Sequence, residues 1–252
     1  MNVLLTNDDG IEAEGLKALC RAFAVEHDVV VIAPEVEQSA VGHGISLRRP
    51  IRVTCRGNQG SVKWFAVSGT PADCVKLGVL ELLEERPDLV VSGINAGLNH
   101  GFYINYSGTV AAAREGSVYG IPSIAVSMEG RSPANFDDGA AFTAELAVMI
   151  ADMPIPPNTF LNINMPDLPR QKISFVRFCS QDMLLPEDGV DAQTGGDGSI
   201  TCRYVYEGTQ RSMGNDTDRA VLSRNGIAIT PVTCNTTCNE SLQRLKDFKL
   251  SI

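Results

Sequence analysis

Short apolar runs alternate with segments of helical period along the first two thirds of this chain, and the alternation predicts the elements. Asn2 to Thr6 reads as a buried strand that runs into adjacent carboxylates, Asp8 and Asp9. A helix is expected from Ile11 to about Val25, then a strand over Asp28 to Ala33, and such a βαβ opening implies a parallel sheet. Ile51 to Cys55 and Val62 to Val67 read as a hairpin, and Thr70-Pro71-Ala72-Asp73 opens a helix through about Glu84. Leu89 to Ser92 is a short buried strand. Ser107-Gly108-Thr109 starts an alanine-rich helix to about Tyr119, Pro122 leads a strand through Val126, and a helix from Asp138 to Ile150 precedes a strand over Phe160 to Asn164. Repeated β/α alternation makes the fold class α/β, a doubly wound and mostly parallel sheet.

After Pro169 the texture changes. Lys172 to Phe178 and Thr201 to Tyr206 read as strands flanking the Gly/Asp-rich stretch Asp188 to Gly198, as in an extended β arm. A strand over Gly226 to Pro231 and a terminal helix over Glu240 to Phe248 follow. The organisation expected is one domain over residues 1–252, with 1–168 as core and 169–252 as arm and C-terminal helix. An arm that leaves a compact sheet suits a second subunit.

Composition narrows the partners. The 252 residues are 44% hydrophobic, enough for a sizeable core. The net charge of -9 argues against a nucleic-acid polymer, so a phosphate ligand has to be held by a metal or by backbone amides. The first 20 residues lack a basic and then apolar leader, and no apolar run reaches the roughly 18 residues that span a bilayer, so no membrane role is expected. Seven scattered cysteines, an odd number, fit reduced thiols of the cytoplasm better than a disulfide framework.

The chemistry depends on where polar residues fall relative to the strands. Asp8 and Asp9 follow the first strand, Ser39 lies in the loop after the second, and Asn95 follows Leu89 to Ser92. In an open parallel sheet the ligand crevice lies outside the carboxyl ends of the strands, so these loops can converge there. Two carboxylates, a hydroxyl and an amide oxygen form a hard ligand set that suits Mg²⁺ or Mn²⁺ rather than zinc. The competing assignment for Asp8 and Asp9 is capping of the helix that begins near Ile11.

The second signal is Ser92-Gly93-Ile94-Asn95-Ala96-Gly97-Leu98-Asn99-His100-Gly101. Its glycines permit close backbone approach, and Asn95 and Asn99 can reach an oxyanion. Downstream, Ser107, Gly108 and Thr109 sit at a helix start, where unpaired N–H groups and the helix dipole favour phosphate without basic residues. Walker and Gly-x-Gly-x-x-Gly patterns are absent, and Asp8 and Asp9 are adjacent rather than in the Asp-x-Asp spacing of haloacid-dehalogenase-type phosphatases.

These motifs together resemble the SurE survival proteins, metal-dependent nucleoside-monophosphate phosphatases. The matching segments are Leu4 to Gly10 (LLTNDDG), Gln38 to Leu47 (QSAVGHGISL), Gly69 to Cys74 (GTPADC), Ser92 to Asn99 (SGINAGLN), Tyr106 to Gly116 (YSGTVAAAREG) and Thr217 to Pro231. The resemblance implies a Rossmann-like fold with one divalent metal ion per subunit on Asp8, Asp9, Ser39 and Asn95. It further implies hydrolysis of 5′- and 3′-nucleoside monophosphates, short polyphosphate as a further candidate substrate, and a homodimer or homotetramer built through the C-terminal arm. Phe102-Tyr103-Ile104-Asn105, a segment that carries an acidic residue in many relatives, and Ala111, where glycine is common, depart from the pattern.

The mechanism expected is metal binding to a phosphate oxygen and to water, with Asn99, Ser107, Gly108 and Thr109 orienting the phosphoryl group. Asp8 and Asp9 are the catalytic candidates, as general base or as covalent nucleophile. A non-catalytic nucleotide-binding or sensing module is the alternative; it needs the phosphate loop but not the paired aspartates.

Overall fold

The computed structural model of the protein describes residues 1–150, 152–185, 187–207, 212, 214–246 and 248. The first strand, β1 (Asn2–Thr6), is buried on both faces, which explains its unbroken apolar run. Val3 and Leu5 point into one layer and Leu4 into the other. The chain continues through α1 (Glu14–Phe23), β2 (Asp28–Pro34), β3 (Val53–Gln59), β4 (Val62–Val67), α2 (Pro71–Leu77), β5 (Leu89–Ala96), α3 (Gly108–Val118), β6 (Ser123–Met128), α4 (Phe136–Ile150) and β7 (Thr159–Met165). It ends with β8 (Phe175–Phe178), β9 (Glu187–Thr194), β10 (Ile200–Glu207), α5 (Asp218–Leu222), β11 (Gly226–Thr233) and α6 (Asn239–Leu245).

The main sheet has nine strands in the order β3-β4-β2-β1-β5-β6-β7-β11-β8. Its centre is parallel: β1 lies between β2 and β5, with Leu4 opposite Val30 on one side and Val90 on the other. Only β3 against β4 and β11 against β7 run antiparallel in this sheet. One layer packs Leu16, Leu19 and Phe23 of α1 with Ala140, Leu146 and Ala147 of α4. The opposite layer packs Cys74, Val75 and Ala112, from α2 and α3, against Leu4, Ile32 and Val90. This is the doubly wound architecture, and it leaves the carboxyl ends of β1, β2 and β5 side by side at one edge.

Several boundaries differ from the sequence pattern. Helix α1 starts at Glu14 rather than Ile11, because the Ile11 N–H is bonded to the Pro34 carbonyl (2.8 Å) and the helix is entered from Ala13. Helix α2 opens at Thr70-Pro71-Ala72-Asp73 as expected, with a capping box of Thr70 and Asp73, but ends at Leu77 and passes into one π-helical turn, Gly78–Leu82, short of Glu84. Strand β5 runs to Ala96 instead of Ser92, across a register irregularity between Ser92 and Asn95. Asn95 is therefore on a bulged strand end, opposite Ser127, rather than in a loop.

The C-terminal segment divides. Strands β8 and β11 extend the main sheet, and β9 and β10 form the separate two-stranded sheet. Strand β9 occupies residues whose glycine and aspartate content reads as loop; pairing overrides composition there, with Val190 opposite Tyr204 and Asp191 opposite Arg203. Helix α5, only five residues long, has no periodic signal to read.

Candidate active site at the strand ends

The loops after β1, β2 and β5 and the start of α3 meet through specific hydrogen bonds. The Gln38 N–H donates to the Asp8 carbonyl (2.7 Å), which brings the Ser39 loop onto the end of β1. The Ala96 N–H donates to the Asp9 carboxylate (3.3 Å), joining Asp9 to the neighbour of Asn95. The Thr109 hydroxyl donates to Asp8 Oδ1. A Cβ built on Gly108 would lie 2.8 Å from Asp8 Cβ and 3.0 Å from its Oδ2, so α3 approaches Asp8 this closely only because residue 108 has no side chain. Gly10, with φ of +100°, turns the chain away directly after the pair.

The two aspartates do not cap α1. Its N-cap is Ala13, which makes no side-chain bond, five residues beyond Asp8. Asp8 instead faces the first turn of α3, where the helix dipole favours a negative charge. Even so, burial pushes the Asp8 carboxyl up to about 6; the Thr109 hydroxyl opposes this and the charge of Asp9 adds to it. Burial also raises Asp9, opposed by the Ala96 N–H and reinforced by Glu37. Asp8 is 4% exposed, and neither aspartate takes part in an ion pair among the described residues. Adjacent carboxylates raised in this way, one buried and one half-buried, form a site that a cation would relieve.

The donor chemistry fits a hard divalent cation. The Ser39 hydroxyl gives its proton to Glu37 Oε1 (2.5 Å), which leaves its lone pairs for a ligand role. Asn95 Nδ2 donates to the Gly97 carbonyl (2.7 Å), turning the amide oxygen the other way. Thr109 occupies Asp8 Oδ1 and Ala96 occupies Asp9 Oδ2, so each carboxylate keeps a second oxygen. Among the described residues no group of three His, Cys, Asp or Glu side chains has metal-binding geometry, so a hydroxyl and an amide have to complete the set.

The residues expected to contact phosphate are differently engaged. The Ser107 hydroxyl accepts from the Val110 N–H (3.1 Å), so it serves as N-cap of α3. Asn99 is buried and immobilised: its Nδ2 donates to Ser127 Oγ (2.8 Å) and its N–H to Asn164 Oδ1 (2.7 Å). Its carbonyl accepts from Asn162 (2.8 Å) and Asn164 (3.1 Å). Asn162 and Asn164 lie outside the motifs read from the sequence, although two amides at alternate positions of an otherwise apolar strand are a readable signal. Gly101 is clamped as well, its N–H on Asp218 Oδ2 and its carbonyl on Gln181 Nε2, both 2.8 Å. Glu37, the third carboxylate of the crevice, carries no distinguishing mark in the sequence.

The fold and crevice define a doubly wound α/β protein with a carboxylate-rich, oxygen-lined crevice beside a helix N-terminus. The family model described as Survival protein SurE matches residues 3–185. Proteins named 5′-nucleotidase SurE are 44% identical over 99% of both chains in Desulfatibacillum aliphaticivorans, and 40% identical over 99% of this chain and 100% of the relative in Syntrophobacter fumaroxidans. The crystal structure of the SurE protein from Aquifex aeolicus superposes with a TM-score of 0.85 at 33% identity, covering 98% of each chain. The chain belongs to the SurE family.

Proposed function

We propose that the crevice formed by Asp8, Asp9, Ser39, Asn95 and the start of α3 hydrolyses nucleoside 5′-monophosphates to nucleoside and phosphate, using one divalent cation, Mg²⁺ or Mn²⁺, per chain. The observation that carries this is the adjacent carboxylate pair, Asp8 buried and Asp9 half-buried, tied by hydrogen bonds to the Gln38 loop, the end of β5 and the first turn of α3 and unneutralised by any described ion pair. The 5′-nucleotidase name of the full-length relatives supports the reaction. Asp8, Asp9, Ser39 and Asn95 would hold the cation, which when bound supplies Lewis-acid polarisation of a phosphate oxygen and a lowered pKa for water.

The chain's own residues supply orientation. The first turn of α3 presents Gly108 and Thr109 beside Asp8, where N–H groups and the helix dipole suit a phosphate in a protein of net charge -9. The Asn162–Asn164–Ser127 network fixes Asn99, so its loop approaches a phosphate already ordered. A purely nucleotide-binding module would have no use for two adjacent like charges at this point, one of them buried.

The remaining parts of the proposal concern context. Residues 1–252 act as one unit, with 1–168 bearing the site and 169–252 supplying the sheet edge, the β9–β10 arm and α6. Exposed Val190, Ile200 and Tyr204 on the arm and Leu242 and Leu245 on α6 support a homodimer or homotetramer. The odd number of cysteines, seven, scattered along the chain, supports a reducing cytoplasm. No helix among the described residues is long and apolar enough to cross a membrane.

Phosphate release from a panel of 5′- and 3′-nucleoside monophosphates and short polyphosphate, with Mg²⁺, Mn²⁺ or chelator, tests the function. Release from 5′-monophosphates that chelator abolishes is expected. No release with any divalent cation would overturn the assignment and favour the binding module.

A further inference from the structure

Residues 35–52, which carry Ser39, contain neither helix nor strand, so this segment takes its order from anchors on other elements. Besides the Gln38 bond to Asp8, the Gly42 N–H donates to the Tyr106 carbonyl (2.9 Å) and Thr70 Oγ1 to the Gly44 carbonyl (2.7 Å). The Ser46 N–H donates to Asp73 Oδ1 (3.0 Å). A further anchor joins two titratable side chains: His43 Nε2 lies 2.8 Å from Glu115 Oε2.

Glu115 sits on α3 and is 5% exposed. Its other oxygen is 3.3 Å from Lys76 Nζ of α2, and Lys76 also donates to the Tyr119 hydroxyl (2.9 Å). Burial pushes the Glu115 carboxyl up, but the hydrogen bond and charge of His43, followed by Lys76, outweigh it and hold the group below the ordinary carboxylate value. Glu115 is six residues past Thr109, about 9 Å along the helix axis, too far to touch a phosphate at the first turn. Its effect on the site has to pass through His43 to the loop.

We propose that Glu115 is a positioning residue for the cation site, holding the Ser39 loop over the crevice through His43. The inference rests on the cation-site reading above. The two halves of the Glu115 network separate its roles. Lys76 ties Glu115 to α2, a helix already packed on α3, whereas His43 ties it to a loop with no hydrogen-bond ladder. A group that orients a ligand through an intermediary changes metal affinity as well as stability.

Mn²⁺ binding to cation-stripped protein, read from the EPR signal of free Mn²⁺ and paired with melting temperatures, tests this. Glu115→Ala and His43→Ala should each weaken Mn²⁺ binding about tenfold. The double variant should be no weaker than either single one, because both remove the same link. Lys76→Met should lower the melting temperature and leave Mn²⁺ affinity unchanged. If Glu115→Ala folds poorly, His43→Ala and the isosteric Glu115→Gln carry the test, with the loss expected for His43→Ala and only a fraction of it for Glu115→Gln. Wild-type affinity in His43→Ala, or additive losses in the double variant, would overturn the proposal alone. No Mn²⁺ uptake by the wild-type protein would overturn the cation site and this proposal with it.

Discussion

Asp9→Asn is expected to stop phosphate release while leaving the fold intact. The amide keeps an oxygen able to accept the Ala96 N–H, so the link from β1 to β5 survives. Charge is what the substitution removes, at a half-buried position where Glu37 and burial already raise the carboxyl. Loss of one charged group that stabilises the reacting centre costs about 10² to 10³ in rate, and loss of a cation ligand adds to that. kcat and kcat/KM measured at saturating Mn²⁺ check this, with circular dichroism to confirm the fold. Near-normal, metal-dependent turnover would show that Asp9 is not part of the site.

Asp8→Asn should also abolish turnover, yet make the cation-free protein more stable. The Asp8 carboxyl moves from 3.8 to about 6 on folding, so the folded state holds its proton to higher pH than the unfolded chain. Its contribution therefore favours folding most below pH 4 and is lost as pH rises through about 6; above that, the ionised group costs about 3 kcal/mol. In chelator at pH 8, Asp8→Asn should melt on the order of 5 °C or more above wild type, and the difference should vanish near pH 4. Added Mn²⁺ should raise the melting temperature of wild type but not of the variant. Scanning calorimetry at the two pH values decides it; a variant less stable than wild type at pH 8 in chelator would contradict the account of Asp8.

The same two residues show how far the sequence could be read. An apolar run ending in adjacent aspartates is visible without a structure, and so is the meeting of the loops after β1 and β2 with the end of β5, because parallel strands deliver their carboxyl ends to one edge. Pattern alone could not exclude helix capping, which depends on α1 beginning at Glu14. The bulge that carries Asn95 at the end of β5 is a matter of register, and register is set by pairing with β6. Partners remote in sequence stayed hidden for a related reason. His43 and Glu115 are 72 positions apart, and Asn99 and Asn164 are 65 apart; only the fold brings them together. Short-range signals served well where the physics is local, as in the helix starts at Thr70–Asp73 and at Ser107.

Anomalous diffraction from crystals soaked in Mn²⁺ tests the central claim most directly. The account predicts one strong peak per chain, within coordination distance of Asp8, Asp9, Ser39 and Asn95, and its loss in Asp9→Asn. A peak bound elsewhere, or none at Mn²⁺ concentrations that support turnover, would contradict it.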